Sequence, residues 1–345
     1  MRATCLALSI LATASALTAA SASAAPPSSV YGRPFQGLNV DVEPSGLYVS
    51  WEVNQSACEL SRVDGATGRI EAERSLGGQL IDLLEADRWL WATTITSSNA
   101  IILLRLNPVT LAVTRRLALG VTLDDTGTLA MAGSWLWVAF SDKLLRLSVP
   151  DGRITAQIAL PKGTDQSMVA ADPTGTILID GEAEDGGGAV QRRDPLTGRL
   201  LATSPQLIGV IEPWIGGVID SGVWISEASG HMGYAERLDL TTLKPEPLTL
   251  PVRNPEGGDT YMEGNNSIGT TVADGLVWIS QATPSSYCGD PRTGRLLAAI
   301  PFPQRYDDEA LAIGTRYIYY TVAPWLSTQQ YLGRIPIPAH CLGRS

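Results

Sequence analysis

The stretch that decides the fold is "RRDPLTGRLLA", Arg192 to Ala202. It recurs as "RVDGATGRIEA" from Arg62 and as "GDPRTGRLLAAI" from Gly289, with looser copies starting at Arg105, Arg146 and Arg237. Asp or Asn opens a type I turn, proline fits the next position, and glycine supplies the positive φ that closes a hairpin. "DPLTG" is therefore turn chemistry, repeated once per structural unit. Its charged residues need no catalytic role.

Ahead of each copy stands an apolar or aromatic triplet, centred on Tyr48, Trp91, Trp137, Leu178, Trp224, Trp278 and Tyr319. The mean step between centres is about 45 residues, the period of a propeller blade rather than of a β-helix coil. Each unit reads as four short strands, as in "TLAMAG", "SWLWVAF", "KLLRLS" and "RITAQIAL" of the third copy. Triplets such as Leu136-Trp137-Val138 suit strands covered on both faces, which is what blades packed side by side provide. The tryptophans are expected to fill the space between blades. Strand-like alternation and abundant Gly and Pro exclude helical repeats. The expected fold is all-β, a seven-bladed propeller of four-stranded antiparallel blades.

The ends read differently. Met1-Arg2, an apolar run and Ala22-Ser23-Ala24 describe a secretory leader cut after Ala24, so the mature protein is expected to be secreted, extracellular or periplasmic, from a bacterial source. No later apolar run is long enough to span a bilayer. The chain divides into the leader (1–24), a segment that closes the ring (25–36), the propeller (37–338) and a tail (339–345). The seventh unit stops after three strands, and "SSVYGRPF", Ser28 to Phe35, is placed to supply the missing outer strand and cover the edge. A net charge of −10 disfavours nucleic acid, which needs a basic stripe.

The unit "(S/G)-(L/V)-W-V … L-x-R-L-D-P-x-T-G-R-x-x-A-x-I-x-L" resembles the repeat of YVTN-type and virginiamycin-B-lyase-like propellers, and more distantly quinoprotein-like repeats. The resemblance spans nearly the whole mature chain and implies the fold. A lyase site of that family would imply paired histidines with glutamates around magnesium. Only His231 and His340 are present, which argues against it.

Loops joining second to third strands, and blade to blade, emerge on one face of a propeller, where ligands bind. That face is expected to gather Trp214, Glu227, His231, Asp259, Tyr261, Glu263, Asn265, Tyr306 and Trp325 as ligand contacts. Its longest departure from the period is Arg253 to Asn266. Glu182, Glu184 and Asp185 could offer oxygens to a divalent cation such as calcium, although no regular calcium loop is present. His231 could act as a base, and no G-x-S-x-G, H-E-x-x-H, C-x-x-C or phosphate loop occurs. The reading is a monomeric module that binds a small molecule or protein; the alternative is a metal-assisted lactonase or lyase on the acidic loop face. Outside the leader stand Cys58, Cys288 and Cys341, an odd number. Strand positions favour a Cys288–Cys341 bridge, with Cys58–Cys341 as the alternative.

Overall fold

The computed structural model describes residues 39–54, 57–122, 127–140, 142–160, 168–172, 174–182, 188–205, 214–229, 232–252, 269–280, 285–301, 306–324 and 330–342. Blade 1 is β1 (Asn39–Glu43), β2 (Gly46–Asn54), β3 (Ala57–Val63) and β4 (Ile70–Ser75). Blade 2 is β5 (Gln79–Ala86), β6 (Trp89–Ile95), β7 (Ala100–Leu106) and β8 (Val113–Thr122). Blade 3 is β9 (Thr128–Ala132), β10 (Trp135–Ala139), β11 (Lys143–Ser148) and β12 (Ile154–Ala159). Blade 4 is β13 (Val169–Ala171), β14 (Ile177–Glu182), β15 (Gly188–Arg193) and β16 (Leu200–Thr203). Blade 5 is β17 (Trp214–Ile219), β18 (Gly222–Ser229), β19 (Met232–Asp239) and β20 (Pro245–Val252). Blade 6 is β21 (Gly269–Ala273), β22 (Leu276–Ser280), β23 (Ser285–Asp290) and β24 (Arg295–Pro301). Blade 7 is β25 (Tyr306–Ile313), β26 (Tyr317–Pro324) and β27 (Tyr331–Pro336), followed by a 3₁₀ turn at Ala339–Cys341.

Every blade is an antiparallel meander in chain order; first strands of blades 1 to 6 lie side by side in succession, and β25 lies beside β1 and against β22. The molecule is a seven-bladed β-propeller. Among the described residues, blade 7 has three strands. The segment expected to complete it, 25–36, lies outside the described residues, as does the leader.

The core is not central but divided among seven seams. Tyr48 packs with Leu83, Leu90 and Leu104 between blades 1 and 2. Trp91 meets Leu136, Leu145 and Val149 between blades 2 and 3. Trp137 meets Ile177 and Ile179, Leu178 meets Val223 and Leu238, Trp224 meets Val277, and Trp278 meets Ile318. Tyr319 closes the ring against Val40, Leu47 and Val63 of blade 1. The seven triplet centres are thus the anchors of the seven seams, and all four expected tryptophans are fully buried. Truncating one such anchor to alanine costs about 3–5 kcal/mol.

The repeated turn forms as its residues dictate. Asp194 Oδ1 accepts the backbone N–H of Leu196 and Thr197, while the Gly198 N–H donates to the Asp194 carbonyl at 2.8 Å with φ at 70°. Asp64, Asn107 and Asp239 cap their turns in the same way. In the copies lacking glycine, Leu111 and Leu243 take the positive φ, at 55° and 54°. A bulge follows the turn in blades 1 to 4: the extra residue on the fourth strand is Glu71, Thr114, Thr155 or Leu201, opposite Arg62/Val63, Arg105/Leu106, Arg146/Leu147 and Arg192/Arg193.

The arginine of the phrase has a structural duty of its own. It stands opposite the triplet centre, as Arg105 does to Trp91 and Arg146 to Trp137. Where the residue two before the centre is aromatic, the guanidinium lies over that ring and reaches the next blade's turn. Arg105 sits 4.3 Å from the Trp89 ring centroid and donates to the Pro150 carbonyl. Arg146 sits 4.6 Å from the Trp135 centroid and donates to the Leu196 carbonyl at 2.6 Å. Arg334 sits over Tyr317 and donates to Gly65 and Ala66 carbonyls across the closing seam. Where glycine stands at that position, as Gly46 and Gly222, the arginine folds back. Arg62 then donates to the Ser45 carbonyl and Arg237 to the Asp220 carbonyl, and a Cβ on Gly222 would come within 2.0 Å of Arg237 Nε.

Candidate functional site

Strand direction gives the disc two unlike faces. One carries only tight turns: the hairpins between first and second strands, and the repeated turns between third and fourth. The other receives the ends of second and fourth strands, hence every longer connection, including those leaving Glu182, Ser229, Val252, Pro301 and Pro324. Residues on this second face carry the variation that the turn face lacks.

Four of the expected contacts have a described backbone, and all four stand at this loop face. Trp214 is the first residue of β17 and pairs with Ser226; the next residue of β18, Glu227, pairs with Tyr234. Trp214 thus opens β17, and Glu227 lies two residues before the end of β18 on the adjacent strand of the same blade. Glu182 ends β14 opposite Gly188 on neighbouring blade 4, and Tyr306 opens β25 opposite Pro324 on blade 7. His231, Asp259, Tyr261, Glu263, Asn265, Trp325, Glu184 and Asp185 lie outside the described residues.

A carboxylate group that the loop reading did not single out lines the inner strands of blades 1 and 2. Val40 and Val42 of β1 turn toward blade 7, so the alternating Asp41 and Glu43 turn the other way, toward β5. Burial, with Asp82 nearby, pushes the Asp41 carboxyl up to about 7. Burial, then the charge of Asp41, pushes Glu43 up to about 9. Asp82 rises to about 6 through burial, although its Oδ2 accepts the Leu129 N–H of blade 3 at 2.6 Å and its Oδ1 the Leu83 N–H. Glu85 Oε2 accepts the Ser45 N–H of blade 1 at 2.8 Å. Burial thus favours the protonated forms of Asp41 and Glu43, that of Glu43 most firmly. The signal was present as "VDVE", carboxylates at every second position of an inner strand. Among the described residues no group of three His, Cys, Asp or Glu is arranged to hold a metal ion.

Cys288 and Cys341 form a disulfide that ties the last turn of the chain to blade 6, with Cα atoms 6.1 Å apart. Cys58 is a buried free thiol in the seam between blades 1 and 2, and burial raises its titration to about 11. No helix among the described residues is long and apolar enough to cross a membrane.

No protein-family model matches the chain, and no curated protein resembles it in sequence. Among solved structures it is similar to Kuenenia stuttgartiensis hydrazine synthase, with a TM-score of 0.65 and 12% identity over 92% of this chain and 98% of that one. It is similar to the Neurospora crassa Pan2 WD40 domain, with a TM-score of 0.62 and 9% identity over 90% of this chain and 91% of that one. It is also similar to BamB from Moraxella catarrhalis, with a TM-score of 0.51 and 12% identity over 86% and 84% of the two chains. At such identities the shared property is the fold. The resemblance read from the repeat holds at that level, that of a β-propeller.

Proposed function

We propose that this protein is an exported, monomeric propeller whose loop face binds a protein or small-molecule partner. The observation that carries the reading is the contrast between the faces. On the turn face the recurring polar residues, Arg192 apart, are occupied in turns and seams, whereas the loop face escapes the repeat. Trp214 and Glu227 stand near the loop-face ends of adjacent strands there, and the longest insertion, Arg253 to Asn266, follows the last strand of the same blade.

The test compares the parent with a variant in which residues 254 to 265 are replaced by a short glycine–serine turn, and with Trp214→Ala. Both should lose whatever co-purifies with the parent from culture supernatant, at unchanged yield of folded protein. Retention of the same partner by both variants would move the site elsewhere. Metal analysis after dialysis belongs beside it: stoichiometric calcium would favour a metal-assisted lactonase or lyase on Glu182, Glu184 and Asp185.

A further inference from the structure

Three features meet at the outer edge of blade 4. First, its outer strand lacks guards that several siblings carry: β4 has Glu71, Glu73 and Arg74, β8 has Arg115 and Arg116, and β20 has three prolines. Charge and proline are what keep a free strand edge from pairing with another chain. Among the described outer strands only β12 and β16 have neither.

Second, the apolar residues of β16 face solvent. Leu200 is 46% and Leu201 37% exposed, and Leu196 of the preceding turn is 66% exposed. Leu201 is the extra residue of the bulge. Its counterparts in blades 1 to 3 are Glu71, Thr114 and Thr155, each of which bonds the arginine of its own blade: Arg62–Glu71 at 2.8 Å, Arg105–Thr114 at 3.0 Å and Arg146–Thr155 at 3.1 Å; in blade 6, where Cys288 stands in place of the arginine, it is Leu297.

Third, the substitution leaves Arg192 stranded. Its Nε is buried without a hydrogen-bond partner, as are those of Arg62 and Arg237, but unlike theirs its terminal nitrogens make no hydrogen bond or ion pair to a described residue. Thr176 stands where its siblings have an aromatic platform or a glycine, so neither way of placing the arginine is open to it. Arg199 is exposed alongside, and Asp194 is occupied by its own turn. A cation beside an unguarded apolar edge calls for a carboxylate from outside.

We infer that the edge of blade 4 docks an extended acidic segment of a partner protein, which adds as a fifth strand to β16, covers Leu200 and Leu201, and gives a carboxylate to Arg192. A second copy of this chain fits poorly. Symmetric pairing of β16 with itself would gather Arg192 and Arg199 of both copies in one seam with Asp194 already engaged.

The experiment uses the full chain and a fluorescent peptide of about ten residues, alternating valine and threonine with aspartate at the centre and both ends. Two variants separate binding from folding. Leu201→Glu supplies the carboxylate that blade 1 has in Glu71, and Arg192→Gln removes the charge. The expected result is saturable binding by the parent, weakened at least about tenfold in both variants, with the melting temperature of L201E equal to or above that of the parent. An analogue with asparagine for aspartate should bind the parent and R192Q alike. No binding by the parent, or binding unchanged in both variants, overturns the inference. Self-association of the parent that L201E abolishes would also overturn it, assigning the edge to contacts between copies.

Discussion

At the scale of the residue, one arginine position does three different things according to its neighbours. With Trp89, Trp135 or Tyr317 beneath it, the side chain extends over the ring and bonds the next blade's turn. With Gly46 or Gly222 there it returns to its own hairpin, and with Thr176 it finds no partner among the described residues. Arg146→Gln should therefore cost about 1–2 kcal/mol in thermal or urea unfolding, the usual loss for a charge-assisted hydrogen bond near the surface. Arg192→Gln should cost less than about 0.5 kcal/mol in the same assay. Equal losses would refute the cross-seam role. Leu243 poses a different balance: its positive φ costs about 1 kcal/mol, yet its side chain is fully buried between blades 4 and 5. Burial is the larger effect, so Leu243→Gly should destabilise by about 1–3 kcal/mol despite relieving the backbone. A gain in stability would reverse that ordering.

At the scale of the element, the inner strands of blades 1 and 2 make stability depend on pH. Asp41, Glu43 and Asp82 bind protons more tightly folded than unfolded, because burial disfavours their charged forms. A carboxyl raised in the folded state releases its proton at a cost, so stability falls as pH climbs from above the ordinary carboxylate range toward about 9. The melting temperature should be higher at pH 5 than at pH 9, and Glu43→Gln should flatten the slope and raise stability at the alkaline end. A melting temperature that rises with pH over this window would contradict the assignment. The disulfide acts on another element: it encloses a separation of 53 residues and anchors the turn after β27. By chain-entropy reasoning Cys341→Ser should cost about 4 kcal/mol, read as a shift of the urea midpoint; an unshifted midpoint would remove the bond from the account. Most of the elements were legible in the sequence, because turn phrases and triplets state their periods directly. The burial of the inner carboxylates was not, although their alternation in "VDVE" was. They read as ordinary polar positions until β1 and β5 are set side by side, since the contact that perturbs them joins residues about 40 apart, on different blades.

At the scale of the whole molecule, seven seams with one anchor each explain how the ring holds together with little sequence in common with its structural neighbours. Every triplet centre from Tyr48 to Tyr319 lies in a seam. The count of blades followed from the repeat. The function did not, because the repeat specifies seams and turns while recognition residues fall in the connections that escape it. The account's central claim is this division: strands and the turn face hold the ring, and the loop face is free to recognise. Calorimetric unfolding of the variant with residues 254 to 265 replaced by a glycine–serine turn tests it directly, since no described seam uses those residues. The account predicts a melting temperature within about 2 °C of the parent, roughly the shift expected for a change of 1 kcal/mol. A fall of more than about 5 °C, comparable to losing a seam anchor, would contradict it.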